Sequence, residues 1–208
     1  TCSGVAGEAA GPVGGGAADD AVGGETGGCH GDVADMLAAN AMAAGLVMTA
    51  AGLPFLLSGE EFARTKLGCS DSFDRPASLN LLDWRRAVRM MPLVGWYQTL
   101  IALRREHPEL CRGAHITLPS ADDVAAYRVG DLVMAANAGY GESTLDMTGG
   151  AASDGEWAVV ADSTDALAGR ATPPDAGAET GHGARGTATV TLPARSFTVW
   201  QRCAGDAQ

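Results

Sequence analysis

One run of six residues, Leu53-Pro54-Phe55-Leu56-Leu57-Ser58, constrains this chain more than any other stretch. It is short and almost continuously apolar, and Gly52 and Gly59 bound it. Such a segment suits a parallel strand covered on both faces. Taken alone, it would present unpaired edges, which are an aggregation hazard. Helical patterns flank it. Val33, Met36, Leu37, Ala41, Ala44, Val47 and Met48 recur at helical spacing, with Asp32 as N-cap and Asp35 in the first turn. The opposite face is mostly Ala, so this helix is expected to be buried over much of its surface. Pro92 opens a second helix with the stripe Leu93, Trp96, Tyr97, Leu100, Ile101 and Leu103, and Pro108 forbids its continuation.

Beyond residue 115 the apolar period changes to two. Val124 to Val129 and Leu132 to Ala136 flank Gly130-Asp131, which reads as a tight hairpin turn. Trp157 to Asp162, Thr187 to Leu192 and Ser196 to Gln201 read as further strands, with a loop from Ser163 to Gly186. Residues 1–31 are rich in Gly and Ala and carry Glu8, Asp19, Asp20 and Glu25 with no basic residue, the pattern of a flexible segment. The expected organisation is therefore a Gly/Ala-rich segment (1–31), a helix–strand–helix portion (32–112) and an antiparallel β-sandwich (113–208).

Fourteen Lys and Arg against 25 Asp and Glu give a formal charge of −11. That balance argues against binding nucleic acid or an anionic membrane. No apolar run is long enough to cross a bilayer. The chain begins at Thr1 without a secretory leader and reads as a piece of something longer. Cys2, Cys29, Cys69, Cys111 and Cys203 are scattered and read as free thiols of a reducing cytosol. His30, His107, His115 and His182 lack ligand spacing, so neither a metal nor a cofactor is expected. Gly181-His-Gly-Ala-Arg-Gly186 spells a dinucleotide fingerprint but precedes a strand rather than a helix.

The stretch Gly52-Leu-Pro-Phe-Leu-Leu-Ser-Gly-Glu-Glu-Phe-Ala-Arg-Thr-Lys-Leu-Gly68, with Asp71-Ser72-Phe73 and Ser78-Leu79-Asn80-Leu-Leu-Asp83-Trp84, resembles the type I pullulanases and glycogen-debranching enzymes of the α-amylase superfamily. There the last barrel strand reads Gly-hydrophobic-Pro-Phe, followed by Gly-Glu-Glu-Phe, Arg-Thr-Lys, Asn-Ser-Tyr and Asn-x-x-Asp-Trp. This chain departs at Asp71 (Asn in the family) and at Phe73 (Tyr). Tyr97 to Arg104 ahead of His107-Pro108, Asn137-Ala138 at a strand end, and Leu192-Pro-Ala-Arg-Ser-Phe197 also match. The resemblance implies the closing helix–strand–helix of an incomplete (β/α)₈ TIM barrel, a fold of about 250 residues when whole, followed by a C-terminal β-sandwich.

The resemblance also implies a function: cleavage of α-1,6 branch linkages in glycogen, starch or pullulan with retention. That chemistry uses two carboxyl groups about 5 to 5.5 Å apart. In the superfamily they lie on earlier barrel strands, so no catalytic residue is assigned here and the chain alone is expected to be inactive. Glu60 and Glu61 are neighbours; in extended backbone their side chains point to opposite faces, so they would not converge on one bond. One of them is expected to pair with Arg64. Arg64, Lys66, Asp71, Ser72 and Phe73 would sit at the barrel mouth, and Arg64, Asp71, Ser72 and Phe73 are the candidate glucan-binding residues. A loop tied down by its own salt bridges is the competing reading. Asn80 and Asp83 are expected to fix the loop's return by turn and cap bonds and Trp84 by packing, with Arg85, Arg86 and Arg89 a solvated surface. The implied partners are an α-glucan and the remaining barrel of the parent, and the expected location is the cytoplasm, or outside the cell if the parent is exported. A second reading is a non-catalytic glucan-binding module that stacks sugars on Trp157 or Trp200; burial in a sandwich core is the commoner fate of such residues.

Overall fold

A computed structural model describes residues 33–148, 152, 156–170 and 189–203. The chain divides after residue 30 into two units, and everything below concerns the second, Gly31–Gln208. Its helices are α1 (Val33–Thr49), α2 (Ala77–Asn80), α3 (Trp84–Arg89), α4 (Met91–Glu106), α5 (Glu109–Arg112) and α6 (Ser163–Leu167). Its strands are β1 (Ile116–Thr117), β2 (Val124–Val129), β3 (Leu132–Asn137), β4 (Ser143–Asp146), β5 (Trp157–Asp162), β6 (Thr189–Leu192) and β7 (Ser196–Arg202). The Asp32 cap, the Gly-rich residues 1–31 and the Gly181–Gly186 motif lie outside the described residues.

An antiparallel five-stranded sheet runs in the order β1-β2-β3-β7-β5, and β4 pairs with β6 in a second, two-stranded sheet. The expected hairpin forms: Val129 pairs with Leu132 across Gly130, whose φ of 57° suits glycine. Alternation then assigns the side chains. Leu132, Met134 and Ala136 of β3 join Val199 and Phe197 of β7 in a core shared with α1 and α4. Val133 and Ala135 face the other way, into a core with Leu145, Val190, Leu192, Trp157 and Trp200. Covered on both sides, β3 is buried along its whole length. In β5 a register shift between Val159 and Ala161 switches faces: Val159 belongs to the second core and Ala161 to the first.

α1 and α4 pack on the sheet. In α4 the buried positions are Leu93, Trp96, Tyr97, Leu100 and Leu103, while Ile101, expected in the stripe, is exposed. In α1 they are Ala41, Met42, Ala44, Gly45, Met48 and Thr49, whereas Val33, Met36 and Val47 are exposed. Only 5 of its 17 residues, Val33, Ala34, Met36, Ala43 and Val47, are exposed, so the helix is covered over much of its surface as expected. Gly45 marks its closest approach to the sheet, since a Cβ there would lie 2.3 Å from Phe197 Cδ1. Trp96 Nε1 donates to Ala41 O at 2.8 Å, tying the two helices. The last carbonyls of α1 lack intrahelical donors. Arg104 supplies a donor to one of them, Met48 O, and its guanidinium also donates to the carbonyls of Ala50 and Gly52 just past the helix.

Two expectations need correction. Ser163 opens α6 rather than a loop, because the Asp162 carboxylate accepts from Thr164 N at 2.8 Å and Asp165 N at 3.0 Å. The second is larger. Leu53 to Ser58 forms no strand: it pairs with none of the described residues' strands. Exposure alternates along it, with Leu53 at 95% and Phe55 at 91% while Pro54 and Leu56 are half-buried. The segment keeps the period of a strand but has no neighbour for the ladder.

Candidate functional site

The candidate site is the loop that leaves Ser58 and returns to α3. It starts with a sharp reversal at Gly59, whose φ of 99° favours glycine and whose amide donates to Glu61 Oε2 at 2.9 Å. Glu60–Phe62 is a single 3₁₀ turn, so the two glutamates are not held in extended backbone as expected. Neither pairs with Arg64. That guanidinium instead donates to Ser58 O at 3.2 Å and Asn80 O at 2.6 Å, closing the loop by its two ends. Phe62 is buried, and its ring packs against Trp84 with centroids 5.5 Å apart.

A polar web fills the loop's interior. Ser72 Oγ donates to Asn80 Oδ1 at 3.0 Å and accepts from Lys66 Nζ at 2.5 Å. Asn80 Nδ2 donates to Ser72 O at 2.6 Å. Asp83 caps α3 by accepting from Arg85 N at 3.1 Å, and the Arg85 side chain beside it holds its carboxyl below the usual range. Asn80 and Asp83 therefore act as expected. Arg86 does not: it is no solvated surface residue, since its Nε donates to Phe62 O at 3.0 Å and Ala63 O at 2.9 Å.

The four candidate residues thus separate. Arg64 and Ser72 turn inward and hold the loop's own backbone. Asp71 and Phe73 turn outward, Phe73 at 86% exposure. Exposed Leu67 and Leu81 belong to the same loop, and exposed Trp84 opens α3 at its end. The anchors Arg86 and Asn80 O close the loop by side-chain to backbone bonds over 16 to 24 residues, a separation no local pattern shows. No group of three potential metal ligands occurs among the described residues, and Cys69, Cys111 and Cys203 are free thiols. Trp157 and Trp200 are buried in the second core at 6% and 1% exposure, so neither offers a stacking surface.

Tyr97 lies beneath the glutamates. Its hydroxyl donates to Asn40 Oδ1 at 3.1 Å, and burial first, then the Glu60 and Glu61 carboxylates, push its pKa up to about 12. The folded state therefore favours the neutral phenol. Stability is fully present below pH 10, the ordinary tyrosine value, and falls as pH rises toward about 12. Denaturation midpoints measured from pH 9 upward are expected to fall less steeply in Tyr97→Phe; parallel curves would remove Tyr97 from the alkaline transition.

Residues 117–203 match the family model of the alpha amylase C-terminal all-beta domain. Over 98 residues the chain is 38% identical to a pullulanase of Bacillus subtilis strain 168, covering 44% of this chain and 14% of that one. An isoamylase of a Flavobacterium species is 32% identical over 65 residues, covering 31% of this chain and 8% of that one. Among solved structures, pullulanase type I from Bacillus subtilis strain 168 in complex with maltose superposes with a TM-score of 0.69 at 20% identity, over 84% of this chain and 24% of that one. Pullulanase from Bacillus acidopullulyticus gives 0.68 at 21% identity, over 83% and 21%. These superpositions establish the fold, and the chain spans a small part of each relative's length.

Proposed function

We propose that this chain, similar to pullulanases and carrying their kind of C-terminal sheet domain, is the closing portion of an α-glucan debranching hydrolase. The parent would cleave α-1,6 linkages with retention, its two carboxylates coming from barrel strands other than the segment present here. The observation that carries this reading is Leu53 to Leu57. It is an alternating segment between two helices with Leu53 and Phe55 bare to solvent, and this supports reading it as a strand whose neighbours belong to the parent. If a parent barrel completes this segment as a strand, the loop after it would stand where barrel folds place their chemistry, at that strand's C-terminal end. Within that loop Asp71 and Phe73 are the residues turned outward to meet sugar, with Arg64 and Ser72 shaping the surface that presents them.

The test is a chimera in which residues 33–203 replace the matching region of the Bacillus subtilis pullulanase. The chimera is expected to release reducing sugar from pullulan, and the 208-residue chain alone is expected to release none. Debranching by the chain alone would overturn the assignment of the carboxylates elsewhere. A folded chimera without activity would overturn the family reading.

A further inference from the structure

Trp157 and Trp200 are buried, but the sheet domain does carry one bare aromatic. Tyr140, in the loop from β3 to β4, is 80% exposed. Among the described residues from 116 to 203, every other Phe, Tyr or Trp is buried or half-buried. Arg195 lies over one face of the Tyr140 ring, its guanidinium carbon 4.1 Å from the ring centre. A ring covered on one face and still so exposed turns its other face to water.

The ring is also held still. Gly139 N donates to Asn137 Oδ1 at 2.9 Å, Gly139 O accepts from Arg195 N at 3.2 Å, and Gly141 O accepts from Asn137 Nδ2 at 2.9 Å. The backbone on both sides of Tyr140 is thereby tied to a wholly buried side chain. Gly139 sits so close that a Cβ there would stand 3.1 Å from Asn137 Oδ1 and 3.2 Å from Asp123 Oδ2. Arg195 reaches the ring from a φ of 51°, a left-handed backbone that costs an L residue free energy. Its Nε lies 3.4 Å from Asp35 Oδ1 of α1, which steadies it in turn. Several interactions thus fix a ring whose own burial contributes little to folding.

A ligand that meets a fixed ring avoids the entropy cost of ordering it. The open face also selects the ligand's chemistry. A second cation there would be repelled by Arg195 across the ring. An anion would meet the exposed carboxylates of Asp123 and Glu142 in a chain of net charge −11. A neutral ring with an apolar C–H face meets neither objection, and a pyranose is such a ring. Resting on the reading above that the parent acts on α-glucan, we infer that Tyr140 is the platform of a second glucan-binding site. A glucose unit stacks on the face opposite Arg195. The site belongs to the β3–β4 loop and not to the loop of Asp71 and Phe73, so it holds the polymer away from the bond that is cut.

The experiment is native gel electrophoresis of the 208-residue chain with and without amylopectin in the gel. The parent chain is expected to be retarded. Tyr140→Ala should weaken the interaction about tenfold or more, with little change in melting temperature because the ring is exposed. Tyr140→Leu, which still covers Arg195 but offers no flat face, should lose retardation too and keeps the test decisive if the alanine variant misfolds. Tyr140→Trp should retain it. Unchanged retardation in folded Tyr140→Ala or Tyr140→Leu, or retardation abolished by Phe73→Ala alone, would overturn this site and leave the glucan reading standing. A parent chain that is not retarded would also overturn it, while activity of the chimera still decides the proposed function by itself.

Discussion

Asn137→Asp is expected to destabilise the chain by at least about 4 kcal/mol at pH 7, although only one nitrogen becomes oxygen. Asn137 is wholly buried at the end of β3. Its Nδ2 donates to Gly141 O at 2.9 Å, Leu192 O at 3.1 Å and Pro193 O at 2.9 Å, and its Oδ1 accepts from Gly139 N at 2.9 Å. A carboxylate in that place aims lone pairs at three carbonyl oxygens and buries a charge where the amide carried none. Folding then favours the protonated acid and raises its folded pKa. Stability is retained below the unfolded aspartate value, about 3.9, and lost as pH rises above it. Protonated, the acid can still give one O–H to one carbonyl, so recovery is partial. The measurement is the difference in denaturation midpoint between variant and parent at pH 4.5 and at pH 7. A difference that does not widen with pH would show that the amide's donors are not what holds this corner.

The second large effect is Gly45→Ala, expected to lower stability by about 2 to 3 kcal/mol. Helix propensity alone predicts the opposite sign, a gain of about 1 kcal/mol. Packing decides it. The new Cβ would sit 2.3, 2.4 and 2.8 Å from three atoms of the Phe197 ring. That ring is fully buried and meets Trp96 edge-on with centroids 6.4 Å apart, so it has little room to yield. In a Phe197→Leu background the same substitution should cost much less, which a double-mutant cycle reads as coupling. A higher melting temperature for Gly45→Ala would mean that α1 and β7 are further apart than described.

How far the sequence discloses this molecule depends on the range of each interaction. α4 is legible because Pro92, a stripe at helical spacing and Pro108 are all local signals. The β2–β3 hairpin is legible for the same reason, through Gly130-Asp131 and flanking alternation. α6 is obscured by the Gly- and Ala-rich composition after it, although Asp162 ahead of Ser163-Thr164-Asp165 was a readable cap. Leu53 to Ser58 shows the opposite failure: its composition states a strand, but a strand exists only when a neighbour completes its ladder. In the candidate site, Asn80 and Asp83 follow from turn and cap chemistry. Arg64 and Arg86 do not, because charge suggests a carboxylate or water as partner, and their acceptors are distant backbone carbonyls.

The guanidinium of Arg104 has a consequence for the bare segment. It fixes the carbonyl of Gly52, and Gly52 N donates to Cys111 O at 3.0 Å, so the segment's upstream end is fastened. Arg64, on the carbonyl of Ser58, fastens the downstream end. Leu53 to Leu57 is strung between two posts like a cable, anchored at both ends while Leu53, Phe55 and Leu57 face solvent. If the parent barrel of the proposed function covers it, that neighbour meets a segment whose two ends are already tied down.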